Sequence, residues 1–269
     1  MGGCGHAAMT EPRIDYDRGA AAFRAARTLP APVLAAWRDA VGALGLGPAA
    51  RVLDVGSGTG QFLRPLADWL GGAVVGIEPA AGMRDESRHA LAPGRVTVVA
   101  GAAEALPVRP HQVDVAWLST VVHQIARLDV AVAELQRVLR PGGHVLIRGY
   151  FSDLPMGGLF RCFPGIEHAA ATFPTTAAVV ETFEHGGFLL ERVTPVTEVW
   201  EFDRRAWAER ARSLRHVDSA LRALTDAEFA AGITAVLTAA DAQPGPVASE
   251  VTLNLVCLGV PAPQQAVGA

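Results

Sequence analysis

The sequence predicts an α/β domain built around a mostly parallel β-sheet. Short apolar, β-branched runs alternate with segments of helical character from residue 51 onward. Each run is apolar throughout rather than alternating with polar residues, which is typical of strands that are covered on both faces. A glycine-rich turn joins the first run to the first helical segment. Strands and helices in this order indicate crossover connections in one parallel sheet.

The expected elements follow this rhythm. Strands are predicted at 51–55, 73–78, 95–100, 113–118 and 144–149, and helices at 61–70, 80–91 and 128–139. The stretch LRPGG at 139–143 has the proline and glycine residues of a helix end. Residues 16–45 indicate two helices broken at 29–32. Beyond the fifth strand we expect an aperiodic run at 151–174, a helix at 175–186, a strand at 188–200, an arginine-rich helical insertion at 203–241 and a last strand at 250–258.

No linker divides the chain, so we expect a single domain over residues 13–260. Residues 1–12 are expected to be a disordered leader and residues 261–269 a disordered tail. Within the domain, the segments 13–45, 151–174 and 203–241 are expected to form a cap or lid. Segment 151–174 holds several phenylalanines (Phe151, Phe160, Phe163 and Phe173), which favours an apolar or aromatic small molecule as the ligand of the protein.

Composition narrows the possible functions. The 269 residues are 50% hydrophobic and 19% charged, with a net charge of −4, so the chain offers no overall basic field for nucleic acid. Several arginines are close in sequence, and the pattern favours solvated helix faces over a basic patch: Arg24, Arg27, Arg204, Arg205, Arg210, Arg212 and Arg215. All 23 basic residues are arginine. Without lysine, Schiff-base and pyridoxal-phosphate chemistry is excluded.

The cysteines and the apolar stretches of the sequence indicate the cellular compartment and the metal content. Three scattered cysteines form neither a disulfide framework nor a metal knuckle. No signal peptide or long apolar stretch is present, so we expect a cytoplasmic protein that does not interact with membranes. The richness in alanine, glycine and arginine suggests a GC-rich bacterial genome. No metal-binding pattern is apparent, and we assign no metal.

The residues that carry chemistry begin at the end of the first strand, VLDVGSGTG at 52–60. A glycine-rich turn between strand and helix allows close approach of backbone to a ligand. Its GxGxG spacing differs from the GxGxxG of dinucleotide binders, which disfavours an NAD(P) oxidoreductase. Glu78 closes the second strand, where a carboxylate could accept both hydroxyls of a ribose. The alternative is that Glu78 only caps the next helix.

Five segments in this order resemble the type-11 class I methyltransferases, which include the ubiquinone- and menaquinone-biosynthesis enzymes: VLDVGSGTGQF, VVGIEPAAGM, GAAEALPV, VDVAWLSTVVHQI and LRPGGHVLI. The resemblance implies a Rossmann-like sheet of order 3-2-1-4-5-7-6 with strand 7 antiparallel and helices on both faces. It also implies S-adenosyl-L-methionine as the cofactor, bound across the carboxyl ends of strands one, two and four, and S-adenosyl-L-homocysteine as its product.

The resemblance assigns cofactor-binding roles by position. The methionine part would be held by the glycine turn, at Asp54, Gly56, Ser57, Gly58 and Gly60. Glu78 would take the ribose, with Pro79 beside it, and Met83 would contact the adenine. The family usually has an aspartate where this chain has Ala102, so adenine recognition would rest on the backbone at Ala102 and Ala103, helped by Glu104. Ser119 would face the ammonium or sulfonium of the methionine. Tyr16 and Arg27 stand in an N-terminal pattern similar to the family's and would bind the cofactor, with Arg27 expected to pair with the methionine carboxylate.

The candidate catalytic residues are His123 and Tyr150. His123 follows the fourth strand and could take a proton from a phenol or carbon acid, with a pKa near neutrality unless strongly perturbed. An orienting role is the alternative. Tyr150 leaves the fifth strand and could contact the acceptor, whereas Glu167 and His168 are expected at the surface. The predicted function is methyl transfer to a small-molecule acceptor, and a non-methylating cyclase or pericyclase on the same fold is the alternative.

Overall fold

A computed structural model describes residues 16–262 of the chain. The expected leader at 1–12 lies outside the described residues, as does the expected tail from residue 263 onward. The strands are β1 Val52–Val55, β2 Val74–Ile77, β3 Val96–Val99, β4 Val113–Ser119, β5 Leu139–Gly149, β6 Leu189–Asp203 and β7 Pro246–Gly259. The helices are α1 Tyr16–Arg27, α2 Ala31–Gly42, α3 Leu63–Leu70, α4 Ala81–Glu86, α5 Leu128–Val138, α6 Ile166–Ala170, α7 Thr176–His185, α8 Arg204–Leu214, α9 Ser219–Arg222 and α10 Asp226–Ala242.

The strands form one seven-stranded sheet of order β3-β2-β1-β4-β5-β7-β6. β1 to β5 pair in parallel, and β7 runs antiparallel to both β5 and β6. The predicted topology is confirmed. The strand order reverses at the neighbouring strands β1 and β4, and such a switch point leaves a crevice outside the carboxyl ends of the strands.

Both faces of the sheet are covered, as the apolar strands predict. One face packs against α5 and α7 through side chains such as Leu135 and Phe183, and the other packs against α2 and α3 through Trp37 and Leu66. Successive side chains of a strand point to opposite faces. Leu118 and Trp117 therefore enter different clusters, and both are fully buried.

A separate apolar cluster lies in the cap formed by α6, α8, α9 and α10. At its centre the Trp207 ring lies 5.6 Å from the Phe160 ring and 5.7 Å from the Phe163 ring. Phe163 also packs directly on Gly232 of α10, where an added Cβ would lie 2.2 Å from the ring. The cap is therefore a packed unit with its own core. None of the helices between residues 16 and 262 is long and apolar enough to cross a membrane.

Several expectations about the cap and its surroundings need correction. The run 151–174 is not structureless, because it holds a 3₁₀ turn at Gly158–Cys162 and α6. α2 belongs to the sheet rather than to the cap, since its buried residues join the cluster under that face. Phe151 likewise lies in the sheet core, and Phe163 in the cap core. A short sequence pattern can indicate that a phenylalanine is buried, but it does not indicate whether that residue packs in the core of the sheet or in the core of the cap.

The β6–β7 pair is longer than expected and shapes the crevice. Gly149 at the end of β5 pairs with Asn254, which pairs on its other side with Pro195. β6 continues from there to Asp203, so its last eight residues project past the carboxyl edge of β5. This projecting arm brings Trp200 and Phe202 beside the cap, where their rings stack 5.6 Å apart.

Candidate active site

A cavity of about 1100 Å³ lies between the carboxyl edge of the sheet and the cap. Ligand pockets usually span ~300–1,000 Å³, so this cavity has room for two small molecules. We call the part lined by the glycine turn, Glu78, Met83 and Ala102 the sheet end. The part lined by Tyr150, Phe160, Phe173, Trp200, Trp207 and Arg210 is the cap end. Every predicted site residue except Gly60 lines this cavity.

The glycine turn after β1 uses left-handed backbone that favours glycine. Gly56 and Gly58 have φ of 70° and 54°. A Cβ on Gly56 would lie 2.5 Å from Val121, whereas the space beside Gly58 is open toward the cavity. Gly60 has φ of 82° but is turned away, and its Cβ position is filled by Leu63, Ser87 and Ala90. Gly60 therefore serves packing of the following helices rather than lining of the cavity.

Glu78 ends β2 and holds the turn in place. One carboxylate oxygen accepts from the Gly58 N–H at 2.9 Å and the other accepts from the Ala80 N–H at 2.9 Å. The capping contact at the start of α4, which the sequence left as an alternative, is therefore present. Each oxygen keeps a further lone pair for a ligand hydroxyl. Burial raises the pKa of Glu78 because it disfavours the charged carboxylate. A further hydrogen bond from a ligand would stabilise that charge.

Asp54 lies beneath the turn and is 2% exposed. Burial, and then the charge of Glu78, raise its pKa to about 8. Three further polar atoms of the turn are buried without a hydrogen-bond partner among residues 16–262, on Ser57, Thr59 and Gln61. The Ser57 hydroxyl points back toward Gly76 of β2. A ligand with positive charge near Asp54 would favour its ionised form, which fits an ammonium or sulfonium group.

The predicted adenine side is mostly apolar. Met83 is 2% exposed and lines the cavity together with Pro79, Ala102, Ala103 and Glu104. The Ala102 carbonyl accepts from the Ala105 N–H at 3.1 Å within a tight turn. Ala102 stands where the family usually has an aspartate, so the polar groups available on this side are the backbone and Glu104, beside the thioether of Met83.

Helix α1 closes one side of the cavity. The Tyr16 hydroxyl donates to Gln124 at 2.8 Å, and burial raises its pKa to about 12. Arg27 forms an ion pair with Asp218, which also caps α9 by accepting from two backbone N–H groups. Arg27 is thus paired within the chain, while its Nε remains buried without a hydrogen-bond partner among the described residues. Asp218 is 191 positions away, beyond what local sequence patterns can connect.

A buried polar network in the wall of the cavity links the two ends, from Ser119 to Trp200. Arg148 of β5 forms an ion pair with Glu198 of β6 and donates to the Ser119 hydroxyl at 3.1 Å. Glu198 also accepts from the indole N–H groups of Trp37 at 2.7 Å and Trp200 at 2.9 Å. Sequence reasoning missed Arg148 and Glu198. A charged residue inside an otherwise apolar strand, as in HVLIRG, was the available signal.

The arginines of the insertion do not all form a solvated face. Arg215 donates to the carbonyls of Leu221 and Leu224 at 2.6 and 2.8 Å. Arg210 lines the cavity, with its guanidinium 4.9 Å from the centre of the Trp200 ring and 5.3 Å from that of Phe202. The expectation of solvation is wrong for these two residues, because Arg210 faces the β6 arm and Arg215 turns back onto the carbonyls around the end of α9.

His123 and Tyr150 lie at the cap end. His123 Nε2 is 3.1 Å from the Ser219 hydroxyl, its ring packs 4.8 Å from Phe173, and its Nδ1 is buried. Burial lowers the pKa of His123 to about 4 and raises that of Tyr150 to about 12. Both groups are therefore neutral at neutral pH. Glu167 and His168 are exposed and do not line the cavity.

Comparison with known proteins decides the class of this site. The profile of the family described as "Methyltransferase domain" matches residues 53–147, which carry β1 to β5 and the sheet end of the cavity. Over these residues, about a third of the chain, the protein is similar to methyltransferase domains. The ubiquinone/menaquinone biosynthesis C-methyltransferase of Syntrophotalea carbinolica is 32% identical over 133 residues, which are 47% of this chain and 56% of that protein. The chain spans about half the length, or less, of the curated relatives that it matches.

Solved structures support the fold of the methyltransferase domain. A protein described as a methyltransferase from an antibiotic biosynthesis pathway of Anabaena variabilis superposes with a TM-score of 0.63 at 18% identity, covering 83% of this chain and 96% of that one. The [4+2]-cyclase SpnF superposes with a TM-score of 0.56 at 20% identity, covering 84% of this chain and 80% of that one. At these identities the likeness concerns the fold alone.

Proposed function

We propose that this protein transfers a methyl group from S-adenosyl-L-methionine to a small molecule held at the cap end of the cavity. The observation that carries the proposal is the continuity of one cavity from Glu78 at the end of β2 to Trp207 in the cap. A cofactor seated at the sheet end leaves the apolar cap end for a second molecule. Relatives named as methyltransferases support the same activity.

The residues at the sheet end fit this cofactor. Asp54 would face its positive charge, and Glu78 would accept its ribose hydroxyls while keeping its two backbone contacts. Met83 would contact the adenine, and Ser119 lies where the sheet end meets the polar network. Tyr16 and Arg27 contribute differently: they fasten α1 to Gln124 and Asp218, and so close the cavity over the bound molecule.

The protein's own chemistry is mainly positioning. When bound, the sulfonium of S-adenosyl-L-methionine supplies an already activated methyl group. The chain holds the acceptor against the cap aromatics and excludes water, which supplies most of the acceleration in such reactions. His123 is a weak base because burial disfavours its charged form. We therefore propose that His123 orients α9 through Ser219, and that the acceptor loses its proton to solvent or is already ionised.

A non-methylating cyclase is the second candidate, because a protein described as a [4+2]-cyclase has the same fold and a fold does not fix the reaction. The fate of the methyl group separates the two. We expect S-adenosyl-L-homocysteine to accumulate in equal amount with a product heavier by one methylene when the protein is supplied with a panel of aromatic and apolar acceptors. A product formed without S-adenosyl-L-homocysteine would assign the cyclase. Calorimetry that detects no binding of either cofactor form would refute both.

We further propose that residues 13–260 act as one domain in which 151–174 and 203–241 close over the acceptor. Phe160 and Phe173 from the first segment and Trp207 from the second already face the same cavity. Hydrogen exchange in these segments should slow when cofactor and acceptor bind together. Equal exchange in the free and the doubly bound protein would show that the segments are a fixed wall.

A further inference from the structure

The charges at the cap end do not cancel among the residues that the structure describes. Arg27 is paired with Asp218 and Arg148 with Glu198. Arg222, which also lines the cavity, has an interaction partner of its own. Arg210 differs from these arginines, since no carboxylate or carbonyl within residues 16–262 accepts a hydrogen bond from it. Within residues 16–262, the positive charge of Arg210 therefore has no carboxylate paired with it.

The setting of Arg210 leaves its donors available. Its guanidinium lies over Trp200 and Phe202, whose rings are stacked at an interplanar angle of 11°. A guanidinium that stacks on an aromatic face keeps its in-plane N–H groups free for a planar acceptor. The charged and titratable groups that act on it from neighbouring elements are Arg27, Tyr150, Asp218 and Glu198.

The partly buried charge of Arg210 lowers the stability of the fold unless a ligand pairs with it. Burial, and then the charge of Arg27, lower the pKa of Arg210 to about 10. A partly desolvated cation without an acid partner destabilises a fold, so such a group usually serves a ligand. Tyr150 and His123 remain neutral at neutral pH and supply no compensating charge.

We propose that Arg210 binds a carboxylate of the methyl acceptor, which makes the acceptor a ring-containing, apolar monoanion. This inference rests on the proposed function, because it names the class of molecule held at the cap end. The wall around Arg210 is apolar and aromatic, with Phe160, Phe173 and Trp207. A phosphate monoester carries close to two charges and would need a second cation. Arg27 and Arg148 are already paired, so the charge balance favours a carboxylate.

The test compares an aromatic carboxylate with its neutral amide. Protein saturated with S-adenosyl-L-homocysteine is titrated with 2-naphthoate and with 2-naphthamide, following the fluorescence of the cavity tryptophans or the heat of binding. The wild type should bind 2-naphthoate roughly 10- to 100-fold more tightly than the amide, the range expected for hydrogen bonds to a charged group. Arg210→Met should remove this preference while the affinity for the amide is unchanged.

Two further variants control for folding and charge. Arg212→Met makes the same change on the same helix, but Arg212 pairs with Glu209 at the surface and does not line the cavity, so the preference should persist. Arg210→Lys keeps the charge without the planar fork and should retain part of the preference. Thermal melts establish that each variant is folded.

The outcomes separate the two proposals. If 2-naphthoate binds no more tightly than 2-naphthamide, including the case in which neither binds, the inference about Arg210 is overturned and the proposed function stands. A preference that survives in Arg210→Met overturns it as well. Failure of wild-type protein to bind S-adenosyl-L-homocysteine would overturn the proposed function and this inference with it.

Discussion

The two ends of the cavity are built in different ways. The sheet end is formed largely by backbone and by residues that directly follow β1, β2 and β4, so its parts recur at fixed positions relative to strands. The cap end is formed by side chains from α1, α8, α9 and the β6 arm, joined by contacts such as Arg27 to Asp218 across 191 positions. The comparison shows that local geometry builds the sheet end, whereas long-range packing builds the cap end.

The largest effect that tests this comparison concerns the polar network between the two ends. The side chains of Arg148 and Glu198 are only 7% and 1% exposed. Arg148→Met leaves a buried carboxylate with only its two indole donors, and should lower the free energy of unfolding by about 3–5 kcal/mol. Urea denaturation measures the loss.

The control for this prediction is again Arg212→Met, whose surface pair should contribute less than about 1 kcal/mol. The double variant Arg148→Met, Glu198→Gln should recover part of the lost stability, because no charge is then left unpaired. Equal losses in Arg148→Met and Arg212→Met would mean that the network is not a structural link between the two ends.

The next effect concerns the sheet end alone. Glu78→Ala removes an acceptor for the ribose and also frees the Gly58 and Ala80 N–H groups. The affinity for S-adenosyl-L-homocysteine should fall by about 1.5–3 kcal/mol, or roughly 10- to 100-fold, by calorimetry. Glu86→Gln is a matched control, since Glu86 pairs with Arg24 and does not line the cavity. Unchanged affinity in Glu78→Ala would reduce Glu78 to a helix cap.

A third effect gives the sheet end a pH dependence. Asp54 has a pKa of about 8 in the free protein, so it is mostly protonated at neutral pH. A cationic ligand favours the ionised form, and binding should release a proton below that pH. The affinity for S-adenosyl-L-methionine should therefore rise with pH by up to about tenfold per unit until pH about 8 and then level off.

The measurement for Asp54 is calorimetry in buffers of different ionisation enthalpy, which counts the protons released. Asp54→Asn cannot release a proton and should show a flat pH dependence with weaker binding. If wild type and Asp54→Asn release the same number of protons, the titrating group lies elsewhere, and Glu78 becomes the next candidate because burial raises its pKa as well.

The fold and the sheet end could be predicted from sequence because their signals are local. Continuous apolar runs at 52–55 and 74–77 indicate buried strands, and the glycine turn and Glu78 follow them directly. The cap end could not, because its partners meet only after folding. The sequence indicates that Arg27 needs an acidic partner, but it does not identify Asp218 as that partner. Nothing in the sequence distinguishes Arg210 from the other arginines of its helix, because its contact with Trp200 forms only when the β6 arm packs against the cap. For Phe151 and Phe163, burial could be predicted from the sequence, but the core that each residue joins could not.

The smallest effect concerns His123, which tests whether the cap end contributes chemistry or only shape. A general base would contribute roughly 10²–10⁴-fold to kcat, and its titration would appear in the pH profile. The pKa of about 4 and the contact of Nε2 with Ser219 favour an orienting role. We therefore expect His123→Asn, which can still form a hydrogen bond with Ser219, to keep kcat within about tenfold of wild type. Loss of a general base would lower kcat much further.

His123→Ala should raise KM more than it lowers kcat, because α9 loses its contact with His123 while the acceptor's proton needs no imidazole. The kcat of the wild type should be independent of pH above about 5, since a group with a pKa near 4 is already neutral there. A fall in kcat of a hundredfold or more in both variants, together with a wild-type profile that titrates near neutrality, would make His123 the base after all and would assign chemistry as well as shape to the cap end.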